Sequence, residues 1–146
     1  MADVPTDDLL SLAKDVKVQQ FNDEHKRLIG YIQDFKQIIQ EIGPREPTNK
    51  EWRHINGNLS SLTRFTIKHF ENEEAVLEKH QFHQLPDHKA QHKLFLAQMR
   101  AFSNKVAEHE YDFKVDMEVM LLDWILSHIN ISDTQYSDFL NDKGVS

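Results

Sequence analysis

The 146-residue chain contains no cysteine. That excludes disulfide staples, thiolate zinc sites, iron–sulfur clusters and cysteine nucleophiles, and it fits a reducing compartment. Basic charge is also in deficit: 17 Lys and Arg stand against 24 Asp and Glu, a net charge of -7. Phosphate-rich partners require a basic patch to release counterions, so neither nucleic acid nor an anionic membrane is an expected partner. There is no run of about eighteen apolar residues. The acidic start, MADVPTDDLLSLAK, lacks the basic region and apolar core of a secretory signal, so a cytoplasmic protein without membrane insertion is expected. With 4 Gly and 4 Pro, the chain has no glycine-rich loop. Its length suits one domain over 1–146, with a core large enough to need no staple.

What is present in excess is imidazole. The chain has 9 His, and the stretch HFENEEAVLEKHQFHQLPDHKAQH from His69 to His92 holds five of them. Four segments show helical periodicity, with Pro and Gly mostly between them. The first carries Val18, Phe21, His25, Leu28, Ile32, Phe35, Ile39 and Ile42 on one stripe and ends at Gly43-Pro44. In the second, Thr48 and Glu51 are spaced as a capping box, and the stripe runs Trp52, Ile55, Leu59, Leu62, Thr66, His69, Glu73, Val76. The third begins after Pro86, with Asp87 suited to a helix N-terminus and His88, His92, Phe95, Met99, Phe102 and Val106 facing inward. The fourth runs from about Phe113 to Ile131, with Leu121, Leu122, Ile125, His128 and Ile129 on or beside its inner face. No strand alternation or internal repeat is visible. The pattern predicts an all-α fold, an antiparallel up-down-up-down four-helix bundle over about 17–136, with an N-terminal arm (1–16) and a C-terminal tail (137–146) as loose ends.

His69 and Glu73 are four residues apart, as are His88 and His92, so each pair projects from one helix face about 40° apart. Asp133 follows His128 by five residues, roughly 140° away on a regular helix. It shares the interior only if the last turn loosens, which HINISDTQ permits because Asn, Ser, Asp and Thr compete with helical hydrogen bonds. A lone histidine on an apolar stripe is ordinarily bonded to a backbone carbonyl. Seven converging groups, His25, His69, Glu73, His88, His92, His128 and Asp133, need more compensation than that, since burying each uncompensated costs several kcal/mol. A metal pair supplies it. Nitrogen and oxygen donors without thiolate suit iron, zinc, manganese or copper, and two carboxylates able to bridge favour a dinuclear site. On two six-coordinate ions, five imidazoles, two bridging carboxylates and a bridging hydroxide leave one position open, room for a small diatomic ligand. The ferritin-like di-iron pattern requires Glu-x-x-His twice. Only Glu51-Trp52-Arg53-His54 has that spacing, so Glu51 and His54 read as solvated helix-face residues.

FNDEHKRL, HFENEE, HKAQH and WILSHINISD, in this order over about residues 18–136, resemble the hemerythrins, especially the single-domain bacterial form. The resemblance implies a non-haem centre of two iron ions, oxo- or hydroxo-bridged, that binds dioxygen reversibly beside an apolar pocket. It implies that His88, His92 and His128 ligate the saturated iron, His25 and His69 the iron with the open position, and that Glu73 and Asp133 bridge. It places Leu28, Phe70, Trp124, Ile125 and Ile129 around the oxygen pocket. The implied function is oxygen storage, transport or delivery, without an enzymatic role and with an oxygen-consuming enzyme as recipient. The alternatives are a di-iron oxidase, peroxidase or nitric oxide scavenger, and an oxygen or redox sensor. The chain departs from the family in lacking a tryptophan in the arm, where it has DLLSLAKDV, and in having Leu85-Pro86 where Tyr-Pro is usual; its GPREPTNK connection also looks long. His80 and His83, in the turn before Pro86, read as exposed and not as ligands, and His109 as a helix-end residue.

Overall fold

The protein is described here from a computed structural model covering residues 12–111 and 114–146, with side chains at 12–111 and 120–146. Residues 1–11 of the expected arm, and Phe113 at the expected start of the fourth helix, lie outside the described residues. Helix α1 spans Gln19–Ile42, α2 Asn49–Lys79, α3 Leu85–Ala107 and α4 Lys114–Ser127. A π-helical segment, His128–Asp133, follows α4 directly and passes into a short α5, Thr134–Asp142. No strand occurs among the described residues. α1 packs on α2 and α4, and α2 packs on α3, giving the expected four-helix bundle with short connections.

The periodicity sets the inward faces. Phe21, His25, Leu28, Ile32, Phe35, Ile39 and Ile42 of α1 are all buried, as are Trp52, Ile55, Leu59, Leu62, Thr66, His69 and Glu73 of α2. The ends follow local chemistry. Gly43 closes α1 at φ 71°, a left-handed value that only glycine adopts freely, and its N–H donates to the Ile39 carbonyl at 3.0 Å. Thr48 opens α2 with the expected capping box: its Oγ1 accepts from Glu51 N–H at 3.2 Å while its own N–H donates to Glu51 Oε1 at 2.9 Å. α3 begins at Leu85, so Pro86 lies inside its first turn, where a missing N–H costs no hydrogen bond.

Both expected loose ends are more ordered where they are described. Val16 and Val18 are buried, and three carboxamides tie the arm's backbone: Asn22 Oδ1 accepts from Val16 N–H, Asn141 Nδ2 donates to the Lys17 carbonyl, and Asn130 accepts from Lys14 N–H and donates to the Leu12 carbonyl. At the other end the bundle does not stop at 136. Tyr136 and Leu140, four apart on α5, are fully buried and carry the inner stripe through to Asp142.

Candidate metal centre

All seven expected residues are buried and meet in one place. Glu73, His88, His92, His128 and Asp133 form one group whose donor atoms lie within 4.8 Å of one another, and His25, His69, Glu73 and Asp133 form a second. The carboxylates belong to both groups because each divides its oxygens between them. Glu73 Oε2 faces His25 and His69, both at 3.3 Å, while its Oε1 faces His92 at 3.4 Å and His88 at 3.5 Å. Asp133 Oδ2 lies 3.0 Å from His25, and its Oδ1 lies 2.9 Å from His88 and 3.0 Å from His128.

Asp133 reaches this position through the π segment. Thr134 N–H donates to the Ile129 carbonyl, five residues back, and the Thr134 hydroxyl occupies the Asn130 carbonyl at 2.9 Å. The wider turn brings residues five apart onto one face. His128 and Asp133 therefore point together, as the loosened turn requires.

Outside the cluster, each helix serves an imidazole of the next. Glu24 on α1 accepts from His69 Nδ1 at 2.6 Å, Glu74 on α2 from His92 Nδ1 at 2.8 Å, and Gln91 on α3 from His128 Nδ1 at 2.8 Å. In a neutral ring these acceptors fix the hydrogen on Nδ1 and leave Nε2 as a lone pair aimed inward. Sequence reasoning missed all three. The signal was their place beside a candidate ligand inside FNDEHKRL, HFENEE and HKAQH, one residue round the helix on the flank that meets the neighbour. It also missed Tyr136, whose hydroxyl donates to Glu73 Oε2 at 2.8 Å.

The unmet capacity of this interior suits cations. Despite these short contacts, Glu73 Oε1, both oxygens of Asp133 and His88 Nε2 make no hydrogen bond of good geometry, a costly arrangement in a dry core. His92 Nε2 and His128 Nε2 stand 3.0 Å apart with both Nδ1 positions already committed, so two lone pairs confront each other unless a positive charge is shared. In the metal-free protein, protons on His69 and His88 bring positive charge to this interior. Burial pushes the His69 imidazolium down, but the Glu73 charge and the bond to Glu24 outweigh it and raise its pKa to about 10. Burial likewise opposes His88, which Asp133 and Glu73 raise to about 9. For Glu73 and Asp133, burial raises the carboxyl pKa, and surrounding imidazoles more than reverse it: chiefly His69 for Glu73, and His128 for Asp133 against the Glu73 charge.

Of the expected pocket residues, Phe70 and Trp124 lie against the same cluster. Leu28, Phe70, Ile125 and Ile129 are buried. Phe70 stacks on the His92 ring at 3.7 Å and half-buried Trp124 on His128 at 4.5 Å. His83 is exposed, whereas His80 is half-buried at the C-terminal cap of α2, short of the expected exposure; neither joins the cluster. His109, just past α3, stacks on Trp52 at 4.6 Å. His54 is solvent-facing as expected, and Glu51 is half-buried in the cap with Arg45.

Bundle and cluster together define a metal-binding four-helix protein. The chain belongs to the hemerythrin family: the family description "Hemerythrin HHE cation binding domain" matches residues 16–140. It is 31% identical to myohemerythrin-1 of Phascolopsis gouldii over 80 residues, 55% of this chain and 61% of that protein. It is 25% identical to bacteriohemerythrin of Pseudomonas aeruginosa over 121 residues, 83% of this chain and 73% of that one. The match thus spans about three fifths of the myohemerythrin's length. A hemerythrin crystal structure shares the fold, with a TM-score of 0.72 at 21% identity over 84% of this chain and 88% of that one. Among the described residues, no helix is long and apolar enough to cross a membrane.

Proposed function

We propose that the protein binds dioxygen reversibly at a non-haem centre of two iron ions and serves to store, carry or deliver it, with an oxygen-consuming enzyme in the cytoplasm as recipient. The observation that carries this reading is the division of the Glu73 and Asp133 oxygens between the two imidazole groups. Carboxylates so divided hold two cations rather than one. His88, His92 and His128 would complete one ion, and His25 and His69 would leave the other a position short. Iron suits the nitrogen and oxygen donors and, when bound, supplies the electrons that dioxygen binding requires.

The chain's own residues do the rest. Glu24, Glu74 and Gln91 hold the imidazole tautomers and raise their basicity. Tyr136 orients Glu73 through its hydroxyl. Leu28, Phe70, Trp124, Ile125 and Ile129 form an apolar pocket that keeps water and protons from the open position, which favours release of the bound gas over oxidation of the centre.

The test is to reduce iron-loaded protein without air, admit oxygen, and then sweep it out while recording the visible spectrum. A charge-transfer band that rises with oxygen and fades on its removal supports the carrier reading, with two irons per chain by elemental analysis. Irreversible conversion to a ferric form, with turnover of peroxide or nitric oxide, would replace it with a redox enzyme.

A further inference from the structure

The relay of outer acceptors around the bundle stops at His25. α1 serves His69, α2 serves His92 and α3 serves His128, but His25 is on the first helix and no earlier helix precedes it. Its Nδ1 is buried without a hydrogen-bond partner, in a residue only 3% exposed. Its Nε2 faces Asp133 and Glu73; a cation held there would take the Nε2 lone pair and leave the ring hydrogen on Nδ1, a donor with nothing to donate to.

What the ring does meet is a cavity of about 250 Å³ between α1 and the arm segment that precedes it, walled by Lys14 and Asp15 of the arm and by Gln19, Asn22, Lys26 and Ile29 of α1. Several polar groups of the wall are already engaged. Asp15 Oδ1 accepts from Lys17 N–H and Asn22 Nδ2, Asn22 Oδ1 accepts from Val16 N–H, and Gln19 Nε2 donates to Asp23. The remaining donors are His25 Nδ1 and the ammonium groups of Lys14 and Lys26. Two lysines against one aspartate leave the wall one positive charge in excess, on a chain whose net charge is -7.

We propose that this cavity binds a small monovalent anion, of halide or simple carboxylate size, which accepts a hydrogen bond from His25 Nδ1 and is held by the charge of Lys14 and Lys26. The volume exceeds the ion's own, so waters complete its shell. The anion takes the place that Glu24, Glu74 and Gln91 hold for His69, His92 and His128. The proposal rests on the metal reading above, because a cation on Nε2 is what puts the hydrogen on Nδ1, and its consequence is a stronger nitrogen donor on the two-imidazole side.

The experiment uses the full chain, metal-loaded, crystallised with sodium bromide, and locates the ion by its anomalous signal. A peak in the cavity against His25 Nδ1 supports the proposal. So does calorimetric binding of formate that weakens about fivefold in Lys26→Met, the scale of one exposed charge contact, and further in Lys14→Met/Lys26→Met, while Lys50→Met leaves it unchanged. The arm stays docked in these variants because Lys14 engages Asn130 through its backbone N–H. Water alone in the cavity, bromide found only in the metal cluster, or formate binding insensitive to both lysines would overturn it. A chain that takes up no metal pair would sink the metal reading, whereas a chain that holds the metal pair but has only water against His25 Nδ1 would sink the anion site alone.

Discussion

The two sides of the centre are built differently. On the three-imidazole side, His92 lies flat against Phe70 at 3.7 Å and His128 against Trp124 at 4.5 Å, and both rings have their outer nitrogens held by Glu74 and Gln91. On the two-imidazole side, His69 is held by Glu24 but meets Phe21 only edge-on at 6.2 Å, and His25 has an unpartnered nitrogen beside a cavity. The side with more donors is also the one in which two rings are clamped face to face. Donor count and packing agree on which ion would be fixed and which would have room for a further ligand.

Glu73→Ala is expected to have the largest effect, because it removes one oxygen from each side. Both ions should be lost together by elemental analysis, with a stability loss of about 3–5 kcal/mol as buried imidazoles lose their partner. Retention of one tightly bound ion would break the shared-carboxylate picture.

The second expectation separates the metal-free from the metal-loaded protein by pH. Without metal, the raised pKa of His69, about 10, and of His88, about 9, contribute stability that is complete below the unfolded value of about 6.5 and is lost as pH climbs through 9 to 10. Metal binding requires neutral imidazoles and so strengthens as pH rises. Thermal melts between about pH 6 and 10 should diverge, falling without metal and holding or rising with it. Parallel curves would show that protons do not occupy the cluster in place of cations.

Glu24→Gln and Glu74→Gln then sharpen the contrast between the sides. Each should weaken metal retention by about 10- to 100-fold in chelator competition. Glu24→Gln should release the ion of the two-imidazole side first, and Glu74→Gln the other. Identical release patterns would erase the distinction. The smallest effect belongs to Thr48→Ala at the start of α2, which should lower stability by about 1 kcal/mol through loss of the cap and leave metal content unchanged.

Much of the centre was legible because helical periodicity converts spacing into direction. Pairs four apart, such as His69 with Glu73, face the same way wherever the helix lies. The loosening between His128 and Asp133 could be anticipated from HINISDTQ, since those side chains compete for the backbone. The acceptors could not, because Glu24, Glu74 and Gln91 each serve an imidazole on a different helix, and the rotation of one helix against another is set by packing. The ends were misjudged for a related reason: Val16 and Leu140 sit in short, mostly polar stretches, and only in the packed structure are they seen to be buried.

By itself, then, the sequence determined the helices, the inward stripe and the seven polar groups on it, because local periodicity and donor chemistry are properties of residue order. Tertiary structure alone decided how the Glu73 and Asp133 oxygens divide between two imidazole groups, which helix steadies which ring, and that His25 is left to face a cavity. Those depend on distances between atoms far apart in the chain, and only the packed bundle fixes them.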